Sequence, residues 1–189
     1  MKSTMPVRGR AVLVTALIAV LAGLLLAATD ASAQEPGASG GFSSEPPPPP
    51  APTAEIALAP DGRTAIAPAG APEAVVKAVE AANRITRKPY KWGGGHGRWR
   101  DSGYDCSGTV SYVLHAAGLL KRSRDSSGFM SYGGRGRGEW ISVYAHGGHA
   151  YMEIAGLRFD TSGRGEDGPR WRTERRSGRG FAKRHPSRL

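Results

Sequence analysis

The chain has 189 residues, 26 Lys and Arg against 16 Asp and Glu, a formal charge of +10 and one cysteine. That length holds one domain of ordinary size with some extra chain. The single thiol excludes an intrachain disulfide scaffold, and the basic balance excludes an acidic solvating chain.

Residues 1–33 read as a secretory signal peptide. Lys2, Arg8 and Arg10 form a positive front, Ala11 to Ala28 is an apolar run, and Ala31-Ser32-Ala33 is an A-x-A cleavage site. The apolar run, about eighteen residues, is also long enough to just span a bilayer as a retained anchor. The small-residue site directly after it favours removal, leaving no stable membrane span. In an exported protein a leftover thiol is a reactive group or half of an intermolecular bridge. Beyond Ala33 the chain keeps 23 Lys and Arg against 15 Asp and Glu, or +8, a balance that attracts polyanions. Gly133-Gly134-Arg135-Gly136-Arg137-Gly138 resembles an Arg/Gly segment that binds single strands. Export argues against nucleic acid and for an anionic cell wall as the partner; simple solubility is the plainer alternative.

Residues 34–71 are low in complexity, with Pro46 to Pro50 in a row and almost no aromatics. Such a run cannot bury enough surface to fold and is expected to be a disordered, semi-rigid tether. Pro72 opens the folded part, residues 72–189. Residues 73–87 carry Val75, Val76, Val79, Ala82 and Ile85 on one stripe, an amphipathic helix that Pro89 cannot continue. A Gly-rich loop then runs into Asp105-Cys106-Ser107-Gly108, followed at once by Val110, Val113, Leu114 and Ala117 at helical spacing, with Gly118 as a stop. Cys106 is therefore expected at a helix start, where free N–H groups and the dipole favour thiolate.

Residues 121–139 are polar, Gly-rich and basic, with a short helical turn expected around Ser127 to Tyr132. The pattern then changes to period two. Strands are predicted at Trp140 to Tyr144, His149 to Ile154 and Leu157 to Asp160, a loop over residues 162–178, and a last strand within Arg179 to His185. Helices before strands predict an α+β fold, N-terminal helices packed on an antiparallel β-sheet around one core.

A cysteine nucleophile needs a base, and the base needs a third group that orients it. Of five histidines, His115 lies two and a half turns along the Cys106 helix and cannot reach back. His185 has no polar partner in its pattern. His96 lies in the Gly-rich loop with nothing predicted to hold it. His146 precedes two glycines in a turn, whereas His149 opens a strand, and a rigid element positions a base better. His146 and His149 lack the helical context and intervening Glu of a zinc motif, so no metal and no cofactor are expected. If Ala155-Gly156 is a two-residue hairpin loop, Glu153 pairs with Arg158, and Asp160 falls on the His149 face. A three-residue loop would bring Thr161 or Arg158 there instead. An oxyanion would meet the Cys106 N–H and the Tyr90 hydroxyl. Asp105, Ser107 and Trp92 complete the candidate substrate-binding set. Trp92, Trp99 and Tyr104 either line a substrate groove or belong to the core.

Pro89-Tyr90-Lys91-Trp92-Gly93-Gly94, Asp105-Cys106-Ser107-Gly108 and His149-Ala150-Tyr151-Met152 together resemble the NlpC/p60 superfamily of cell-wall cysteine peptidases. The resemblance covers about Pro72 to Leu189. It implies a papain-like fold, Cys106 as nucleophile, His149 as base, and Asp160 where the family usually has His, Asn or Gln. It also implies hydrolysis of peptidoglycan stem peptides, often between D-glutamate and the diamino acid. Wall-binding repeats such as SH3b or LysM are not visible, so the tether and basic surface would provide retention. The expectation is a secreted, wall-associated monomer that engages peptidoglycan and anionic wall polymers. An amidase or acyltransferase on the same fold, and a non-catalytic wall-binding protein, are the alternatives.

Overall fold

The structure, a computed structural model, describes residues 55–163 and 168–189. The signal segment and residues 34–54 of the tether lie outside the described residues. Among those described, no helix is long and apolar enough to cross a membrane.

The chain forms an α+β fold built on a six-stranded antiparallel sheet. It opens on a two-stranded hairpin, β1 (Ala57–Leu58) and β2 (Ala65–Ile66), so ordered chain begins before Pro72. This corrects the tether boundary. Asp61 closes the turn by accepting from the N–H of Arg63 and Thr64 at 2.9 and 2.8 Å, and Ile56 and Leu58 pack against the core. The composition concealed the hairpin because its apolar residues are few and most of its support comes from elsewhere in the chain. That support centres on Asn83. Its Oδ1 accepts from Ala65 N–H (2.9 Å) and Trp171 Nε1–H (2.8 Å), and its Nδ2 donates to Ala65 O (2.8 Å). Asn83→Ala leaves these partly buried groups unpaired, so unfolding free energy should fall by about 2–3 kcal/mol. Chemical denaturation measures this, and a loss under about 0.5 kcal/mol, the level of an ordinary surface change, would contradict it.

Helix α1 (Glu73–Ile85) buries Val75, Ala78, Val79, Ala81, Ala82 and Ile85, the predicted stripe with alanines filling it, except that Val76 is only partly buried. Helix α2 (Cys106–Ala116) is buried on nearly every side from Ser107 to Leu114. It ends as its glycine predicts. Gly118 takes φ +76°, with Gly118 N–H bonded to His115 O (2.9 Å) and Leu119 N–H to Leu114 O (2.8 Å), the paired bonds of a Schellman end. A single turn, α3 (Ser126–Phe129), follows.

The sheet runs β3 (Gly134–Arg135), β8 (Ala182–His185), β4 (Ile141–His146), β5 (His149–Ile154), β6 (Leu157–Asp160), β7 (Arg170–Arg172) in spatial order. Strands β5 and β6 have the predicted limits and register: Ile154 faces Leu157 and Glu153 faces Arg158. The loop between them is Ala155-Gly156, both at positive φ (44° and 86°), the backbone a two-residue hairpin requires. Ala150, Met152, Ile154 and Phe159 are buried against the helices, and α2 packs across β5.

Two further differences bear on the site. The stretch read as a loop over residues 162–178 contains β7. Arg170-Trp171-Arg172 is too short and too charged to read as a strand, but Trp171 stacks near Phe159 (4.7 Å between rings) and is only 4% exposed. His146 is not in a turn. It ends β4 and pairs with His149 across Gly147-Gly148.

Candidate active site

Three short contacts bring the Gly-rich approach onto the start of α2. Tyr104 N–H bonds to Pro89 O (3.1 Å), Lys91 N–H to Tyr104 O (3.2 Å) and Asp105 N–H to Gly94 O (3.2 Å). The loop lies so close to the helix that a methyl group at Gly108 would overlap Gly94 O, which is why a glycine follows Cys106-Ser107. Asp105 caps the helix, its Oδ1 accepting from Gly108 N–H at 2.6 Å. Cys106 is the first helical residue, so its own N–H has no intrahelical partner.

Strand β5 carries His149 to the sulfur. The Cys106 side chain is hydrogen-bonded to the His149 ring and to the Ala150 backbone N–H. His149 Nε2 lies 2.9 Å from Asp160 Oδ1, which leaves Nδ1 for the thiol. Asp160 is wholly buried, and the Ser162 N–H also bonds to its Oδ1 at 2.9 Å. The structure thus brings Cys106, His149 and Asp160, from α2, β5 and the end of β6, into one chain of contacts.

The charges follow from these contacts. Burial pushes the Cys106 thiol up, but the His149 and Ala150 hydrogen bonds and the imidazolium outweigh it, so the thiol is acidified overall. Burial works against imidazolium, yet the bonds to Asp160 and Cys106 hold His149 at about 9. Burial also raises Asp160, but His149 and the Ser162 N–H bring it below the usual carboxylate value. The three shifts all favour the charged forms, thiolate beside imidazolium beside carboxylate.

The other site residues divide. Tyr90 is 39% exposed, and burial together with the nearby negative Cys106 and Asp105 pushes its phenol up. It therefore stays protonated, as a hydrogen-bond donor beside the sulfur must. Trp92 is 87% exposed on the turn whose Gly93 N–H bonds to Asp105 Oδ2 at 3.0 Å, so it is not core. Trp99 stacks on His115 at 3.8 Å and Tyr104 is buried, so both belong to the scaffold.

Asp105 and Ser107, read from the sequence as substrate-binding, are engaged within the chain. Both are buried and face inward. Asp105 accepts from Gly93, Gly108, Ser107 and the His96 ring. His96, expected to be unheld, lies 3.1 Å from both Asp105 Oδ1 and Ser107 Oγ, and its carbonyl accepts from Ser123 Oγ. It pins the loop to the helix. Sequence reasoning missed this because the acceptor was assigned to the substrate. It also missed Ser162 and the Ala150 N–H, whose roles depend on where β5 and β6 end. The His146 and His149 rings stand 6.4 Å apart, with His149 Nε2 already engaged by Asp160.

No protein-family model matches the chain, and no curated protein matches it.

Proposed function

We propose that this protein is an exported cysteine hydrolase that cleaves amide bonds of peptidoglycan stem peptides, working outside the cell at the wall. One observation carries the reading: a half-buried thiol at a helix start is bonded to an imidazole whose other nitrogen is held by a fully buried carboxylate. A buried ion pair of this kind is costly to keep for stability alone, and it is the arrangement that activates a cysteine nucleophile. The substrate class and a papain-like architecture come from the NlpC/p60 resemblance. A helix bearing the thiol, packed on an antiparallel sheet bearing base and orienter, is consistent with that architecture.

In this reading the Cys106 thiolate attacks the amide carbon, and the carbonyl electrons move onto oxygen. The Cys106 N–H and Tyr90 hydroxyl donate to that oxyanion. His149 passes the Nδ1 proton to the departing nitrogen as the C–N bond breaks, leaving a thioester. Water then attacks with His149 taking its proton. The carboxylic acid leaves and the thiol returns. Trp92, exposed on the turn next to Gly93, would stack on substrate.

The test is mass spectrometry of purified peptidoglycan incubated with the protein. Expected are new amine and carboxyl ends within stem peptides, which also identify the bond. Walls left intact while the protein binds them tightly would favour a basic wall-binding role instead. Acyl transfer to an added amine would show a transferase.

A further inference from the structure

We propose that Arg176 is a positioning residue for this site, clamping the Asp160 carboxylate so that Oδ1 stays aimed at His149. The inference rests on the hydrolase reading for its effect on turnover, but its geometry stands apart from any substrate.

A carboxylate on one chain end rotates about its last bond unless both oxygens are held. Oδ1 of Asp160 receives His149 Nε2, Ser162 N–H and Ser162 Oγ at 2.9, 2.9 and 3.1 Å. Oδ2 receives Arg176 Nη1 at 3.0 Å. The same Nη1 also bonds to Ser162 Oγ, so one guanidinium spans the carboxylate and the hydroxyl that lies 3.4 Å from His149 Nε2. Arg158 Nε stands off at 3.9 Å, too far for a hydrogen bond, while Arg158 Nη2 faces Glu174 at 4.0 Å.

Arg176 is itself held. Its guanidinium carbon lies 5.3 Å from the Tyr151 ring centre and 5.2 Å from that of Phe181, within cation–π range of both. The two rings meet edge-on at 5.2 Å. Tyr151 belongs to the same strand as His149, and Phe181 leads into β8. A residue from the loop between β7 and β8 thereby ties that loop to base and orienter together. Nη1 alone reaches the carboxylate and the hydroxyl while the planar fork lies against the two rings, a packing that an ammonium does not reproduce.

The charged and titratable groups facing the pair are Cys106 from α2, His146 from β4, His149 and Tyr151 from β5, Arg158 from β6, and Arg176. Removing Arg176 frees Oδ2 and lets Oδ1 turn away from His149, so the imidazolium loses the bond that most favours it and should give up its proton at lower pH, the opposite of what loss of a nearby positive charge alone would do.

The experiment is NMR titration of the His149 ring in a Cys106→Ala background, which removes the thiolate's own pull, combined with kinetics in the native-cysteine protein. Arg176→Met should lower the His149 midpoint and lower kcat by about tenfold to a hundredfold with KM nearly constant, the effect of a misplaced base. Arg176→Lys, which keeps charge but not the fork, should leave the midpoint near wild type and recover only part of kcat. Should Arg176→Met fail to fold, the lysine variant decides alone: full wild-type kcat overturns the clamp. An unmoved or raised midpoint in a folded Arg176→Met variant overturns it too, even if stability falls. If the midpoint drops while the wild-type protein cleaves no wall fragment, the clamp stands and the hydrolase reading falls.

Discussion

Cys106→Ala should abolish release of stem-peptide fragments, lowering kcat by about 10⁴-fold or more, because no other group on the site can form the acyl intermediate. The same variant should fold. Cys106 is half-buried and makes no disulfide, so the change removes one sulfur at the mouth of α2 rather than a core side chain. Paired with it is a chemical measurement. Because His149 and the Ala150 N–H acidify the thiol, iodoacetamide should modify Cys106 readily at neutral pH. His149→Ala should slow that reaction by removing the counter-charge. Fragment release by folded Cys106→Ala above about 1% of wild type would overturn the nucleophile assignment, since triad losses are larger than that. A thiol that alkylates no faster than a free one would undo the ion pair.

Asp160→Asn is the second large effect, and its direction can be worked out atom by atom. An amide has one acceptor oxygen and one NH₂ group where the carboxylate has two acceptors. His149 Nε2–H and Arg176 Nη1 each need an acceptor, on Oδ1 and Oδ2 respectively. The amide can serve only one of them. Either the base loses its orienter, or a buried cation faces an NH₂ group. Turnover should fall by about tenfold to a hundredfold, and stability at neutral pH by about 3–5 kcal/mol, the cost of breaking a buried pair by removing one partner.

The pH dependence follows with the same sign. Thiolate–imidazolium activity requires pH above the lowered Cys106 value and below the raised His149 value of about 9. In Asp160→Asn the main group raising His149 is gone, so the alkaline limb should move to lower pH. For folding, His149 is raised above its unfolded value. Its contribution is complete below about 6.5 and is lost as pH rises through about 9. Asp160 is lowered, so its contribution is present above its unfolded value near 3.8 and is lost as pH falls through the folded one. Cys106 is lowered as well, so its contribution is lost as pH falls through its folded value, and wild-type stability should decline on both the acid and the alkaline side. A pH–rate profile and denaturation at several pH values check both statements. An alkaline limb unmoved by Asp160→Asn would show that the carboxylate does not set the charge of His149.

The limits of β5 and β6 and their register were legible because alternation and a two-residue turn leave little freedom: a slip by one residue would move Met152, Ile154 and Phe159 out of the core. The start of α2 was legible for a similar local reason, since Asp105 caps it and Gly118 ends it. Strand β7 was not legible. Its one buried side chain, Trp171, is covered by Phe159 and Asn83 from distant parts of the chain. The hairpin at residues 57–66 was hidden for the same reason, because Asn83 supplies the hydrogen bonds that its own residues lack.

Local sequence, then, determined which residues could form the nucleophile helix and which strand face would carry His149 and Asp160, because helix caps and strand parity act over only a few neighbouring residues. Tertiary structure decided the rest. It turned Asp105 and Ser107 inward, seated His96 on them, and brought Arg176 across Tyr151 to Asp160. These outcomes depend on which buried polar atom finds which partner, and those partners come from loops whose paths are set only once the sheet and helices have packed.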